Sequence, residues 1–356
     1  MAEGSRPGRT NRAALIALLI ALVGCSSEGD DDAGGAAGGA SGAGATAGSA
    51  GAVGGAGTGG TAPGGAAGAG AGTAGAGGAG ATATGGAAGV GASSCAGSWG
   101  APEVLYQAPD GYTLSSPAVR SDDLELFYVD YDAAGAGHYR RTARSDRAAP
   151  FTPGDIVSEL DAACGAADQR MIDLSSDGRR AYIVCIEEPV ANASGALRMA
   201  RRPDFDSPFS LDAMSYGVVG ASPAISADEL RLYTSAQASV GTNPSLTYMR
   251  ASTTAPFGAG MSIPGLESST LSAPDISPDG LALFGNLNAA VVVVTRSAPD
   301  APFGGPSIVV PGDPMNYTFV VGAADVSGDC RSLYYVHVDY PLDSVQGFYA
   351  LHAVRR

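Results

Sequence analysis

Short apolar segments on either side of a turn recur five times in the C-terminal part of the chain. The clearest copy runs from Ser272 to Phe284: aliphatic positions lead into a Ser-Pro-Asp-Gly turn, and an apolar stretch ending in an aromatic residue follows. Apolar runs of this length around Asp, Gly and Ser are typical of a β-hairpin. The pattern therefore predicts one hairpin at each of the five places.

The turn aspartates of the five copies are nearly evenly spaced. They are separated by 55, 51, 51 and 50 residues and are Asp122, Asp177, Asp228, Asp279 and Asp329. An aliphatic residue stands three positions before each of them and an aromatic residue five positions after. A repeat of about 50 residues lies in the range of propeller blades.

A second element recurs downstream of each of the first four hairpins. An arginine stands six residues before a Pro-Phe pair, at Arg144, Arg202, Arg250 and Arg296. Apolar runs such as 291–294 before the arginine and 307–310 after the phenylalanine predict a third and a fourth strand. Four antiparallel strands per repeat is the organisation of a propeller blade.

The two ends of the repeat region complement each other. The fifth repeat stops at Arg356, after its third strand, whereas Trp99–Leu105 precedes the first repeat and aligns with Phe303–Val309 of the fourth. The sequence therefore predicts an all-β domain at 95–356, a five-bladed β-propeller closed by its N-terminal strand, which leaves no open edge between the last blade and the first. A sixth, degenerate blade is the alternative.

The first 25 residues read as a targeting segment. Arginines precede an apolar run, 13–23, that is short for a bilayer span, and the segment ends in Leu-Val-Gly-Cys. It resembles a bacterial lipoprotein signal peptide, which implies cleavage before Cys25 and lipidation of Cys25. In that family an Asp directly after the Cys favours retention at the inner membrane. The residue here is Ser26, so the resemblance favours the outer membrane. An ordinary secretory signal or a short anchor is the alternative.

Residues 26–94 contain almost nothing that could form a core. An acidic cluster is followed by Gly, Ala, Ser and Thr, and most of the 53 glycines of the chain lie here. Such a segment cannot offset the entropy of ordering, so it is expected to be a disordered linker between the lipid and the domain.

Charge limits the possible partners. The formal net charge is −15, and no basic patch stands out. Nucleic acid and anionic membrane surfaces both require clustered Lys and Arg. The composition therefore argues against nucleic acid and leaves the lipid anchor as the contact with the membrane.

Four of the five cysteines lie in the predicted propeller. An even number suits two disulfides in an oxidising compartment. Blade topology places Cys95 and Cys330 on one face and Cys164 and Cys185 toward the other, so of the three possible pairings Cys95–Cys330 with Cys164–Cys185 is favoured.

The segment Pro274–Gly280 resembles the repeat of TolB-type bacterial β-propellers. The likeness covers most of 95–356 and is best in the fourth repeat, whereas Ile172 and Ala324 replace the Pro and Arg120 replaces the Ser in other copies. It implies a propeller that serves as an envelope scaffold, a binding module or a noncatalytic accessory domain. It does not imply a particular ligand.

Three repeats carry a carboxylate on the first strand, four residues before the turn aspartate. They are Asp173, Asp275 and Asp325, while Ala118 and Ala224 stand there in the other two repeats. Convergent carboxylates could bind a cation such as calcium or act as the acid and base of a glycosidase. Alternatively each Asp accepts hydrogen bonds from backbone amides of an adjoining strand, and no cofactor is needed.

The loops between the second and third strands depart most from the repeat. They are acidic and aromatic, with Asp130, Tyr131, Asp132, Glu187, Glu188, Asp339 and Tyr340. Such a surface suits a cationic segment or a sugar ring. The alternative is that these loops are simply solvated.

Two functions follow from these observations. The first is a lipid-anchored, noncatalytic propeller at the cell envelope, attached to the outer membrane, that binds a protein or a glycan. The second is a carbohydrate-active enzyme that uses the first-strand carboxylates.

Overall fold

The computed structural model describes most of the chain from Ser93 onwards. The described residues are 93, 95–165, 167, 169–186, 195–213, 216–235, 245–267, 269, 271–312, 318–339 and 347–356. The signal segment with Cys25, the linker 26–94 apart from Ser93, and the loop residues Glu187, Glu188 and Tyr340 lie outside them. What the sequence predicts for these parts stays a prediction.

The described residues are all-β except for one short helix, and each repeat begins with two long strands. The first strands are β2 (Thr113–Val119), β6 (Gln169–Leu174), β10 (Val219–Ile225), β14 (Ser272–Ile276) and β18 (Thr318–Val326). The second strands are β3 (Glu125–Tyr131), β7 (Arg180–Ile186), β11 (Arg231–Ser235), β15 (Ala282–Leu287) and β19 (Ser332–Asp339).

Third and fourth strands follow in each repeat. The third strands are β4 (Gly137–Ala143), β8 (Gly195–Arg201), β12 (Leu246–Met249), β16 (Ala290–Thr295) and β20 (Phe348–Arg355). The fourth strands are β5 (Asp155–Ile156), β9 (Ser210–Leu211), β13 (Met261–Ser262), β17 (Ser307–Val310) and, for the fifth repeat, β1 (Glu103–Gln107). The helix, α1 (Ser158–Cys164), lies between the first and second repeats. Among the residues described, no helix has both the length and the apolar character needed to span a membrane.

The strands pair in sequence order within each repeat. Repeats 1 and 4 form four-stranded sheets, and the sheet of repeat 5 runs β1–β20–β19–β18, so the N-terminal strand completes the last repeat. Repeats 2 and 3 depart from the expected separate sheets because β10 also pairs with β8. Gly195 and Gly220 stand opposite each other in that pairing. Gly195 is also close to the neighbouring strand β7, where an added Cβ would meet Val184 at 2.5 Å.

The apolar pair after each turn explains how neighbouring repeats pack. The first member faces the preceding repeat and the aromatic member the following one: Tyr182 packs with Leu232, Tyr233 with Leu283, and Tyr334 with Leu126. The last of these contacts joins repeat 5 to repeat 1. Burial of these rings supplies much of the apolar area between sheets.

The turn aspartate shapes each hairpin, as its sequence context predicts. Asp279, for example, accepts hydrogen bonds from the Ser277 hydroxyl at 2.6 Å and the Leu281 amide at 3.0 Å. The next residue has a positive φ in all five repeats, namely Asp123, Gly178, Glu229, Gly280 and Cys330. Glycine adopts this conformation without strain. The three other residues each make an ion pair or a disulfide there.

The repeated arginine is part of the architecture. Its Nε donates to the carbonyl oxygen of the residue after the turn aspartate, as Arg296 does to Gly280 at 2.7 Å. Its guanidinium also lies over the phenylalanine of the Pro-Phe pair, 4.4 Å from the ring centroid for Arg296 and Phe303. In repeat 5 Arg356 lies 5.3 Å from the ring centroid of Trp99, which takes the place of the missing phenylalanine.

Two disulfides are present, Cys95–Cys330 and Cys164–Cys185. These are the pairs that blade topology favours. The first joins Cys95, which lies upstream of β1, to the hairpin of repeat 5. The second joins the end of α1 to β7 and so holds the helix against repeat 2.

Candidate functional site

Three aspartates of the first strands meet where the repeats converge. Asp173 of β6, Asp275 of β14 and Asp325 of β18 each bring a carboxylate oxygen within 4.8 Å of the others. All three residues are more than nine-tenths buried. The sequence places them at equivalent positions of their repeats, and folding of the first strands side by side brings them together.

Backbone amides from all five repeats donate to these three carboxylates. Asp173 accepts from Leu174 at 2.6 Å and from Ile225 of the next repeat at 2.5 Å. Asp275 accepts hydrogen bonds from the amide of Ile276 and from that of Val326 in the next repeat. Asp325 accepts one from the amide of Val119 in repeat 1. The donors occupy the same position in every repeat: Val119, Leu174, Ile225, Ile276 and Val326. The carboxylates therefore tie the first strands together.

Burial raises the pKa of each of these carboxyl groups. The pKa of Asp173 is raised to about 7, mainly by desolvation. The pKa values of Asp275 and Asp325 are raised well above the usual range, first by desolvation and then by the charges of the neighbouring aspartates. Amide hydrogen bonds oppose the shift but do not cancel it. Such a cluster can hold a proton between its members or, chemically, a cation.

The raised pKa values predict that the protein loses stability as the pH rises. A carboxyl group whose pKa is higher in the folded state than in the unfolded state stabilises the folded protein. This stabilisation is complete below the unfolded pKa, near 4, and is lost as the pH rises through the folded pKa, which is about 7 for Asp173. We expect the free energy of unfolding to fall by an amount on the order of a few kcal/mol over this range. Urea denaturation at pH 5, 6, 7 and 8 measures it.

A neutral amide at one position separates this effect from others. Asp275→Asn keeps an oxygen for the Val326 amide and removes one charge, so the loss of stability with pH should become smaller. Asp155→Asn changes an exposed carboxylate and should leave the pH profile as it is. Identical profiles for the wild type and Asp275→Asn would contradict the prediction. A calcium-dependent gain at pH 8 that Asp275→Asn abolishes would instead identify a cation site.

A second buried charge cluster lies between the hairpins of repeats 1 and 2. Glu125, at the start of β3, is 1% exposed. Its Oε1 accepts a hydrogen bond from Arg202 Nη1 of repeat 2 at 3.0 Å and another from Arg141 Nε. Its Oε2 accepts one from Arg120 Nη1 at 3.3 Å. This cluster is not among the sites predicted from the sequence.

The signal for Glu125 was a break in the repeat. The arginines of repeats 1, 3 and 4 bond or approach a tyrosine hydroxyl of the preceding repeat, as Arg250 does to Tyr182 at 2.7 Å. Repeat 1 has Phe127 at the position of these tyrosines, so Arg202 of repeat 2 has no hydroxyl to bond to. Glu125 supplies the missing acceptor.

The acidic loop residues have different surroundings. Asp130 is buried and accepts a hydrogen bond from Arg140 Nε at 3.0 Å. Tyr131 bonds to the backbone of Arg170, and Asp132 accepts from the amides of its own turn at Ala134 and Ala136. Asp339 is exposed, with an oxygen 3.8 Å from His337 Nε2. Asp130 is thus the predicted loop residue with the most restricted surroundings.

Two of the histidines are neighbours in repeat 5. The rings of His337 and His352 lie 5.0 Å apart on adjacent strands. Burial, and then the nearby His337, lowers the pKa of His352 to about 4, so it is neutral at physiological pH. His138 instead bonds to Asp161 of α1, with Nδ1 and Oδ2 2.8 Å apart. The spacing of these residues in the sequence does not suggest either contact.

Comparison with known proteins gives structural similarity only. No family model matches the chain, and no curated protein matches it. Among solved structures it is similar to TolB from Acinetobacter baumannii, at 12% identity over 72% of this chain and 58% of that one, with a TM-score of 0.38. The chain therefore spans less than two thirds of that protein.

Two further solved structures are covered more completely. A GH43_1 enzyme from Xanthomonas citri, complexed with xylotriose, is 14% identical over 70% of this chain and 90% of that one, with a TM-score of 0.47. A gluconolactonase from Xanthomonas campestris is 13% identical over 71% and 89%, with a TM-score of 0.38. Likeness at this level concerns the general propeller-type fold and carries nothing about activity.

Proposed function

We propose that the protein is a lipid-anchored, five-bladed β-propeller, closed by its N-terminal strand, that acts as a noncatalytic binding scaffold at the cell envelope. The ligand is a protein or a glycan. The targeting segment supports the anchor through its resemblance to lipoprotein signals, with Cys25 lipidated and Ser26 favouring the outer membrane. Residues 26–94 then serve as the linker to the propeller at 95–356.

One observation carries the noncatalytic part of the proposal. The three first-strand carboxylates, which are the best catalytic candidates in the sequence, are buried and accept amides from all five repeats. They are therefore engaged in joining strands. Within the described residues, the acidic loop surface formed by Asp132, Asp339 and the neighbouring Tyr131 is the predicted binding surface that stays at least partly exposed.

The glycosidase alternative has less support in this geometry. Glycosidases place two carboxyl groups about 5–5.5 Å or 6.5–9.5 Å apart on either side of the scissile bond. Here one oxygen of each aspartate lies within 4.8 Å of one oxygen of each of the others, and all three side chains are shielded from solvent. We therefore expect no turnover on a panel of aryl glycosides. Hydrolysis that Asp173→Asn and Asp275→Asn both abolish would establish the enzyme instead.

Ligand capture tests the scaffold. The full chain, solubilised in detergent and immobilised, is expected to retain an envelope protein or glycan, and neutralising the loop surface with Asp132→Asn and Asp339→Asn should reduce capture severalfold. Asp300→Asn changes an exposed carboxylate near the hairpin ends of the strands and should not reduce it. Equal capture by all variants would contradict the loop surface. No capture at all would contradict the binding role.

A further inference from the structure

Asp130 has an unsatisfied oxygen inside the protein. The residue lies in β3 and is 3% exposed. Its Oδ2 accepts a hydrogen bond from Arg140, but its Oδ1 is buried and has no hydrogen-bond partner among the described residues. Buried acceptors of this kind are rare in native structures and call for an explanation.

Tyrosines of two repeats surround this carboxylate. Tyr128, two residues earlier in β3, is buried, and its hydroxyl accepts a hydrogen bond from the Gly154 amide at 3.0 Å. The ring centroid of Tyr106, in β1, lies 5.8 Å from that of Tyr128. Tyr106 and Tyr112 are both only partly buried. Tyr128 and Asp130 stand two residues apart on β3 and therefore on the same face of the strand, so Tyr106, which packs on Tyr128, lies on the side that carries Asp130. Burial and then the negative charge of Asp130 raise the pKa of Tyr106. The site lies where repeat 5 meets repeat 1.

The charges of the site favour a neutral ligand. Arg140 already neutralises Asp130, and its guanidinium would repel a second cation. The other side chains packed at this junction are mostly apolar, among them Leu114, Val338 and Leu351. What the site offers is therefore one hydrogen-bond acceptor next to two partly exposed aromatic rings.

We propose that a neutral pyranose unit of a glycan binds at this junction, with one hydroxyl donating to Asp130 Oδ1 and the sugar ring stacking on Tyr106 or Tyr112. This rests on the proposed scaffold function and names its ligand class. Sugar rings combine hydroxyl donors with an apolar face, which matches the acceptor and the rings. Because Oδ1 is buried, sugar binding would require a side chain at the junction to move, and the partly buried Tyr106 is the candidate.

Titration of neutral oligosaccharides tests the proposal. The full chain in detergent is titrated calorimetrically with cellotetraose, xylotetraose, laminaritetraose and chitotetraose, and at least one is expected to bind saturably. Asp130→Asn presents an uncharged group to the hydroxyl and should weaken binding about tenfold. Tyr106→Ala should weaken it at least as much, and Tyr106→Phe, which keeps the ring, much less. Asp146→Asn, on an exposed turn at the opposite ends of the strands, should leave the affinity unchanged.

The possible outcomes separate this inference from the proposed function. Binding that is insensitive to both Asp130→Asn and Tyr106→Ala places the sugar elsewhere and overturns the inference. Binding of none of the four sugars, together with capture of an envelope protein, overturns it while the scaffold function stands. If Asp130→Asn proves too unstable to measure, a large loss with Tyr106→Ala and near-normal affinity with Tyr106→Phe still support the site, and equal affinities overturn it.

Discussion

Replacing Cys95 and Cys330 together by serine is expected to lower the free energy of unfolding by about 5 kcal/mol. The bridge spans a sequence separation of 235, and in the chain-entropy account longer closed loops restrict the unfolded chain more. Cys95 also precedes β1, which completes the sheet of repeat 5 by pairing with β20. Urea denaturation of the oxidised wild type and the variant measures the loss.

The second disulfide is the matched control. Cys164 and Cys185 are separated by 21 residues, so serine at both positions should cost about 3 kcal/mol. Cys330 has a φ of 59°. Serine keeps a Cβ at this position, so the double serine variant removes the bridge without relieving the backbone strain that glycine would relieve. Hydrogen exchange should increase most in β1 and β20. Equal losses from the two disulfides would contradict the argument from loop length.

Replacing Glu125 by alanine is expected to destabilise the protein by about 3–5 kcal/mol. The change leaves the buried guanidinium of Arg202, whose side chain is 1% exposed, without its carboxylate, and it also removes an acceptor from Arg120 and Arg141. A buried charge that loses its partner keeps the full cost of desolvation. Glu125→Gln retains an acceptor and should cost less. Chemical denaturation near pH 7 gives both values.

A compensating substitution tests why Glu125 is there. In the double variant Glu125→Ala, Phe127→Tyr, the new hydroxyl should bond to Arg202 as Tyr182 bonds to Arg250, and part of the lost stability should return. Asp300→Ala removes the partner of Arg231 from a surface pair in which the Asp300 side chain is 87% exposed, and it should have no measurable effect. Failure of Phe127→Tyr to restore any stability would contradict the proposed equivalence.

Much of the local structure follows from the sequence. The predicted hairpins agree with the first and second strands, and the predicted strands at 291–294 and 307–310 correspond to β16 and β17. In repeat 4 the loop between the second and third strands is very short, because β15 continues to Leu287 and β16 begins at Ala290. Asn288 and Ala289 both have positive φ, as the tight turn of a two-residue hairpin requires.

The candidate sites were less predictable. The sequence indicates that Asp173, Asp275 and Asp325 converge, since equal positions in a repeat occupy equal levels. It does not indicate which aspartate accepts a hydrogen bond from which amide. Repeats 1 and 3 have Ala118 and Ala224 in place of the aspartate, so the amides of Val119 and Ile225 bond to aspartates of other repeats. The contact of Glu125 with Arg202 and the packing of Tyr106 on Tyr128 join different repeats, and no local pattern signals them.

The sequence by itself determined the period and the hairpins, because alternation and turn chemistry act over a few residues. The direction in which each aromatic residue packs was visible only in the structure. The pairing of β1 with β20 was also readable, since the two ends of the repeat region are complementary. Only the tertiary structure decided that the three aspartates accept hydrogen bonds from five amides and have raised pKa values. It also decided that one oxygen of Asp130 is buried with no partner among the described residues. Burial and hydrogen-bond satisfaction depend on which repeats meet, and that geometry exists only once the sheets have packed together.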